Sequence, residues 1–285
     1  MNILVLGATG LIGNQVFKHL SKKNKVYGTY NNKKKIKKIT FNKDRLIYFN
    51  ALYKTSLGKI LIKSNPKVVI NCIGVTKHIK ETNKKNIFRI NGEFPHYAKE
   101  KSNIKSAKFI QISTDCVFDG RHGNYTENSE PNAKDFYGKS KAQGEINDNV
   151  NLTLRTSTIG HELFTKYGLL EWFLDQNSSC EGYSKAIFNG LTTIHFAKIL
   201  ENLIKKKITG LINVSGIQIN KYKLLKKIKK IYKKKIIIKK NNTFKINRTL
   251  NNKLLRKLLP NIKKKNWNKL IRQMKNENAK SFSKN

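Results

Sequence analysis

The sequence predicts an α/β fold, a doubly wound parallel sheet with a smaller C-terminal lobe. Three observations carry this. Apolar runs of strand length alternate with amphipathic stretches of helix length from residue 2 to about 156. The inner run at 67–71 is apolar almost throughout, as strands covered on both faces are. A glycine-rich turn, Gly7-Ala-Thr-Gly10-Leu-Ile-Gly13, stands where the first strand gives way to the first helix.

Residues 2–6 read as a buried strand rather than a signal peptide, because no basic region precedes them and the glycine turn cuts the run short. Residues 11–23 form a helix with Leu11, Ile12, Val16, Phe17 and Leu20 on one face. Strands follow at 25–29 and 45–49, then a helix at 55–63 ahead of Pro66 and a fourth strand at 67–71. A long helix spans 84–102, with Pro95 as its expected interruption. Residues 107–113 and 152–156 are further strands, separated by a turn-rich loop (119–134) and a helix at 136–147. Beyond residue 158 the rhythm changes. Helices are expected at 163–176, 193–206, 221–233, 251–259 and 267–277, an edge strand at 211–214 and a short strand at 236–238. The expected division is residues 1–158, residues 159–278 and a frayed tail at 279–285.

A chain of 285 residues can bury its own core without disulfides. Cys72, Cys116 and Cys180 lie far apart with no CxxC pair, which excludes a disulfide scaffold, and the histidines lack ligand spacing, so no metal centre is expected. No run approaches the ~18 apolar residues of a membrane span, so no membrane insertion is expected and a reducing cytoplasm fits. The net charge is +42, from 59 Lys and Arg against 17 Asp and Glu. Only seven of the 59 are Arg, whereas nucleic-acid binders favour Arg for bidentate contacts. The lysine excess, accompanied by 35 Asn, therefore reads as codon drift and solvated faces, with no specific nucleic-acid partner.

The glycine turn has a chemical meaning. Glycines allow a tight turn and close backbone approach to a pyrophosphate, which then meets the N–H groups of Leu11, Ile12 and Gly13 and the positive end of the helix dipole. Gly7, Gly10 and Gly13 are thus candidate dinucleotide ligands, and the fold is expected to be an NAD(P)-binding Rossmann fold. The second strand ends in Asn31-Asn32-Lys33 with no acid for a ribose 2′-hydroxyl. Amides followed by cations suit a 2′-phosphate, which favours NADPH, with NADH as the alternative.

Tyr137 and Lys141 stand four residues apart, on one helix face. A phenol with pKa ~10 needs a neighbour that lowers it for proton transfer at neutral pH. Upstream, Ser113-Thr114-Asp115-Cys116-Val117-Phe118-Asp119-Gly120 follows the fifth strand, on the carboxyl side where such sheets bind ligands.

These three motifs, in this order, resemble extended short-chain dehydrogenases/reductases, and among them dTDP-4-dehydrorhamnose reductases and related nucleotide-sugar reductases. The resemblance implies that Thr114 hydrogen-bonds the substrate carbonyl, Tyr137 donates the proton and Lys141 tunes its pKa. It places Cys72, Ile73 and Gly74, after the fourth strand, against the cofactor, with Asn91 in support, and Asn50 and Ala51 near the adenine. Arg155-Thr156-Ser157 matches the family's run after the sixth strand. Asp115, Cys116 and Val117 fall on the sugar side, His161 either there or on loop backbone, and Arg248 is the candidate for the substrate diphosphate. Cys116 and Thr158 depart from the Tyr and Trp common in rhamnose reductases. The implied activity is NADPH-dependent reduction of a nucleotide-activated keto sugar for surface polysaccharide. In this division residues 1–158 bind the dinucleotide and 159–278 the substrate, with a homodimer as the assembly. The alternatives are an epimerase or dehydratase of the same superfamily, and a non-catalytic dinucleotide-binding sensor.

Overall fold

The computed structural model describes every residue except 37, 38, 40, 41, 77–82, 263, 264 and 283–285. Its strands are β1 (Asn2–Leu6), β2 (Lys25–Tyr30), β3 (Leu46–Tyr48), β4 (Val68–Asn71), β5 (Lys108–Thr114), β6 (Leu152–Thr156), β7 (Thr158–Ile159), β8 (Ser179–Phe188), β9 (Leu191–Thr192), β10 (Gly210–Val214), β11 (Ile219–Asn220) and β12 (Ile237–Asn247). Its helices are α1 (Leu11–Leu20), α2 (Lys33–Ile36), α3 (Leu57–Ser64), α4 (Lys84–Phe88), α5 (Phe94–Ile104), α6 (Phe136–Gln143), α7 (Leu169–Asp175), α8 (Thr193–Lys205), α9 (Lys221–Tyr232), α10 (Lys253–Leu258) and α11 (Trp267–Phe282).

Seven strands form one parallel sheet in the order β10-β6-β5-β4-β1-β2-β3, so the chain reverses its direction of growth between β1 and β4. That reversal opens a crevice at the carboxyl ends of these two strands. Successive side chains of a strand point to opposite faces. Ile3 and Val5 accordingly join Val16 and Phe17 of α1 and Phe196 and Leu200 of α8, while Leu4 and Leu6 join Leu57 and Leu61 of α3 and Phe94 of α5. The sheet is the doubly wound Rossmann arrangement, and 211–214 returns to it as an edge strand beside β6.

A second core gathers Phe173 of α7, Phe188 of β8, Leu224 and Ile228 of α9, and Trp267 and Ile271 of α11. Beside it lies a three-stranded sheet, β11-β8-β12. Here the structure departs from the sequence expectations. β8 is a ten-residue strand where none was expected, and β12 extends the short strand at 236–238 as far as Asn247. Both are polar on their exposed positions, so neither shows a clear apolar alternation. The 163–176 helix begins only at Leu169, because Glu162 draws Thr165 Oγ1 (2.9 Å) and the Gly168 N–H (2.7 Å) into a loop ahead of it. The long helix is interrupted by a π turn at Arg89–Glu93, and Pro95 follows it directly, in the first turn of α5. The expected frayed tail is helical through Phe282, and residues 283–285 fall outside the described residues.

Candidate active site at the carboxyl edge of the sheet

Gly7 adopts φ +78°, a left-handed conformation open to glycine. Its N–H donates to Thr29 Oγ1 (2.9 Å) and that of Ala8 to the Thr29 carbonyl (2.8 Å), so buried Thr29 pins the turn to β2. A Cβ on Gly13 would collide with the Gly7 carbonyl. Gly10 precedes α1 with no side-chain cap, which leaves the N–H groups of Leu11, Ile12 and Gly13 without helical partners. An uncapped helix end over a turn that excludes side chains at Gly7 and Gly13 fits a dinucleotide pyrophosphate.

Around this cradle the other candidates take their places. Asn31, Asn32 and Lys33 are exposed at the end of β2, with Lys33 Nζ 5.5 Å over the Tyr48 ring. Asn50 Oδ1 accepts from the Leu52 N–H (3.0 Å), and Ala51 is buried behind it. Asn71 Oδ1 accepts from the Ile73 N–H (3.1 Å), which fixes Cys72, Ile73 and Gly74 across from Gly7. Burial pushes the Cys72 thiol up to about 12, with Lys141 pulling the other way.

Asn91 lies in the π turn, a distortion that recurs at functional sites. It clamps Val75 through both N–H (2.9 Å) and carbonyl (3.0 Å) and donates to Ser140 Oγ (3.1 Å), whose hydroxyl donates to the Tyr137 carbonyl (2.8 Å). The cofactor-side loop and the helix carrying Tyr137 are thereby one hydrogen-bonded unit. Sequence reasoning missed Thr29 and Ser140. Ser140 lies inside the Tyr-Gly-Lys-Ser-Lys run, but Thr29 carries no local signal.

Thr114 ends β5, and Asp135 caps α6 by accepting from the Gly138 N–H (2.8 Å), which sets Tyr137 in the helix's first turn. The Thr114 hydroxyl donates to Asp115 Oδ1 (3.2 Å) and accepts from the Cys116 N–H (3.1 Å), beside Tyr137. Burial raises the Tyr137 pKa, Cys116, Asp115 and Asp135 add to this, and Thr114 opposes it. Lys141 is buried, and its Nζ donates to the Ile112 carbonyl (2.7 Å). Burial lowers it to about 8 against the pull of Glu145 and Cys72. The ammonium is thus held on the carbonyl of β5, and burial acts on the phenol in the upward direction.

On the opposite side, Arg248 arrives from the link between β12 and α10. Its Nε donates to the Phe118 carbonyl (2.8 Å), Nη1 to Cys116 Sγ (3.5 Å), and Nη2 lies 3.8 Å from Asp135. Burial raises the Asp115 carboxyl, with Lys221 and Arg248 offsetting it. Two candidates point elsewhere. Val117 is fully buried in a small cluster with Phe118, Tyr125 and Leu250. His161 has both ring nitrogens engaged, by Glu171 (2.5 Å) and Tyr232 (2.8 Å), and no contact joins it to Thr114, Tyr137 or Arg248 among the described residues. Arg155 is structural, in a buried pair with Glu145 (2.9 and 2.7 Å) that also accepts from Ser113 Oγ (2.6 Å).

The profile of the family described as RmlD substrate binding domain matches residues 1–160. The chain belongs to that family. Among solved structures, RmlD-like folds recur: a hypothetical dTDP-4-dehydrorhamnose reductase from Sulfolobus tokodaii shares 26% identity at a TM-score of 0.77, covering 90% of this chain and 94% of its own. A dTDP-4-dehydrorhamnose reductase from Bacillus anthracis, in complex with NADP, has a TM-score of 0.79 at 19% identity over 96% and 98%, a likeness of fold. The methionine adenosyltransferase 2 subunit beta of Danio rerio is 31% identical over 151 residues, 50% of this chain and 42% of that protein. The spore coat polysaccharide biosynthesis protein SpsK of Bacillus subtilis is 36% identical over 98 residues, 33% of each chain. The matches span less than half the length of these curated relatives.

Proposed function

We propose that this chain is an NADPH-dependent oxidoreductase, a ketoreductase of a nucleotide-activated deoxysugar resembling dTDP-4-dehydrorhamnose reductases, and that it works in the cytoplasm on precursors of surface polysaccharide. The observation that carries this reading is the placing of Thr114, at the carboxyl end of β5, beside Tyr137, with Lys141 one helical turn on and the uncapped glycine cradle at the neighbouring strand ends. The names of the Sulfolobus and Bacillus proteins support it. No helix among the described residues is long and apolar enough to cross a membrane, and the three cysteines are free thiols.

In this reading the N–H groups of Leu11, Ile12 and Gly13 hold the pyrophosphate, and Asn31, Asn32 and Lys33 the 2′-phosphate. Asn50 and Ala51 flank the adenine, and the nicotinamide side rests on Cys72, Ile73, Gly74, Asn91 and Lys141. When bound, the nicotinamide supplies hydride to the sugar carbonyl carbon. Tyr137 keeps its proton at neutral pH and releases it to the carbonyl oxygen as negative charge develops there. Thr114 donates to the same oxygen and steadies the phenol. Asp115, Cys116 and Arg248 line the substrate mouth, with Arg248 on the diphosphate, while Val117 and His161 lie away from it. Residues 1–158 serve the dinucleotide and 159–278 the sugar nucleotide, and a homodimer is the working assembly.

The test is NADPH and NADH oxidation with dTDP-4-keto-6-deoxy-L-mannose and a panel of UDP- and GDP-keto sugars, with Tyr137→Phe beside the wild type. Turnover lost in the variant is expected. A second reading, a non-catalytic dinucleotide-binding subunit, is favoured by the name of the Danio relative and by the engagement of Lys141 with Ile112. Cofactor binding without turnover across the panel would select it.

A further inference from the structure

We propose that a second, non-catalytic ligand site lies between α8, α10 and the turn after β10, and that it takes a small carboxylate with a short apolar tail. A cavity of about 50 Å³ opens there, with Leu191, Ile199, Leu255 and Leu259 among its apolar walls. That exceeds the ~30 Å³ share of one water and accommodates a few heavy atoms.

One wall is the ring of His195, only 7% exposed; neither ring nitrogen has a hydrogen-bond partner among the described residues, and Nδ1 is closed to solvent. A buried ring with neither nitrogen partnered is costly, and Nε2 is the one that a bound group could satisfy. The backbone N–H of His195 is already taken by Thr192 Oγ1 (3.4 Å), so the start of α8 is not itself the donor. A neutral imidazole presents one N–H and one lone pair, and as its Nε2–H tautomer it can donate to a carboxylate oxygen. Burial, with Lys265 and Lys198, holds the ring neutral, at about 4.

Two cations complete the wall. Arg256 commits its Nε to Asn252 Oδ1 (2.8 Å), and no other hydrogen bond or ion pair holds its guanidinium among the described residues. Lys265 is half-buried and makes no ion pair within 4 Å among the described residues; Lys198 and Lys269 lie near enough to lower it, and Glu277 acts against them. Cations and an N–H donor beside an apolar slot match an anionic head and a hydrocarbon tail together. Inorganic phosphate would leave the leucine walls unmatched, and an alcohol the cations. The wall also includes Ser215 and Asn252, which brace the segment following Arg248: Ser215 Oγ donates to the Leu250 carbonyl (2.9 Å), and Asn252 Nδ2 to the Ser215 carbonyl (2.9 Å).

The experiment is an NMR titration of the full chain, ¹⁵N-labelled at histidine, with sodium butyrate at constant ionic strength. Butanol and inorganic phosphate form parallel arms. His195 is recognised as the ring that stays neutral at pH 5, and by its absence in His195→Asn. A saturable shift of that ring with butyrate, weakened about tenfold in Lys265→Gln, is expected. Should His195→Asn fail to fold, Lys265→Gln and Arg256→Gln, at more open positions, report on the same site. A ring unmoved by butyrate would mean that the cavity holds water, and would overturn the proposal. So would an equal response to butanol, or a response to phosphate alone. None of these outcomes depends on the reductase reading.

Discussion

The sheet half and the second lobe handle their polar groups differently. Around the candidate site, buried polar side chains hold one another: Ser113 and Arg155 on Glu145, Asn71 on Gln111, Asn91 between Val75 and Ser140. Removing any one leaves a buried partner unmatched, which costs more than the bond itself contributed. In the lobe, β12 is largely exposed and its polar contacts, such as Asn241 with Glu181 (3.2 Å), lie in water. The first region is held by mutual constraint. The second keeps a compact apolar core under a surface free to accumulate lysine. The family profile covers the first region, residues 1–160.

The comparison can be sharpened from its strongest consequence downwards. Tyr137→Phe should lower kcat by about 10²–10⁴-fold while leaving dinucleotide affinity and unfolding unchanged. Loss of binding as well, seen by fluorescence titration, would make the phenol a structural group. Glu145→Gln should cost about 3–5 kcal/mol in urea unfolding, because Arg155 is left buried without its carboxylate. Phe244→Ser, on exposed β12, should stay within about 0.5 kcal/mol. Equal losses would erase the distinction between the two regions.

Between them stands His195. Its folded pKa of about 4 lies below the ordinary histidine value of ~6.5, so the unfolded chain binds the extra proton first as pH falls. The associated stability is complete above pH ~6.5 and is lost progressively towards pH ~4, at most about 3 kcal/mol. His195→Asn should flatten that part of the pH–stability curve, and an unchanged slope would place the acid sensitivity elsewhere. The smallest effect belongs to Gly58→Ala in α3, where a Cβ meets open space. A gain of about 0.5–1 kcal/mol, read as a rise in Tm, would show that even the constrained half has slack.

Much of the first region was legible because its local signals agree. Apolar runs, the glycine turn and the Tyr137–Lys141 spacing all point to one sheet and one edge. What was hidden depends on contacts distant in sequence. Thr29 matters through Gly7, which no pattern within β2 reveals. The Ile112 carbonyl that holds Lys141 is a backbone group with no signature in residue type. β8 and β12 pair with each other across a polar surface, so their strand character arises from partnership rather than from alternation. From its place after a strand His161 read as touching either the sugar or loop backbone, yet Glu171 and Tyr232 use both of its nitrogens.

Arg248 reaches Cys116 across 132 residues of chain. During synthesis the glycine cradle, Thr114 and Tyr137 therefore emerge from the ribosome long before the guanidinium that packs on Phe118 and Cys116. A growing chain passes through an interval in which the strand-edge crevice can form before Arg248 is made. On the proposed reading, chains arrested in that interval would be expected to retain nucleotide cofactor without recognising a sugar, so that cofactor loading would precede substrate selection in time.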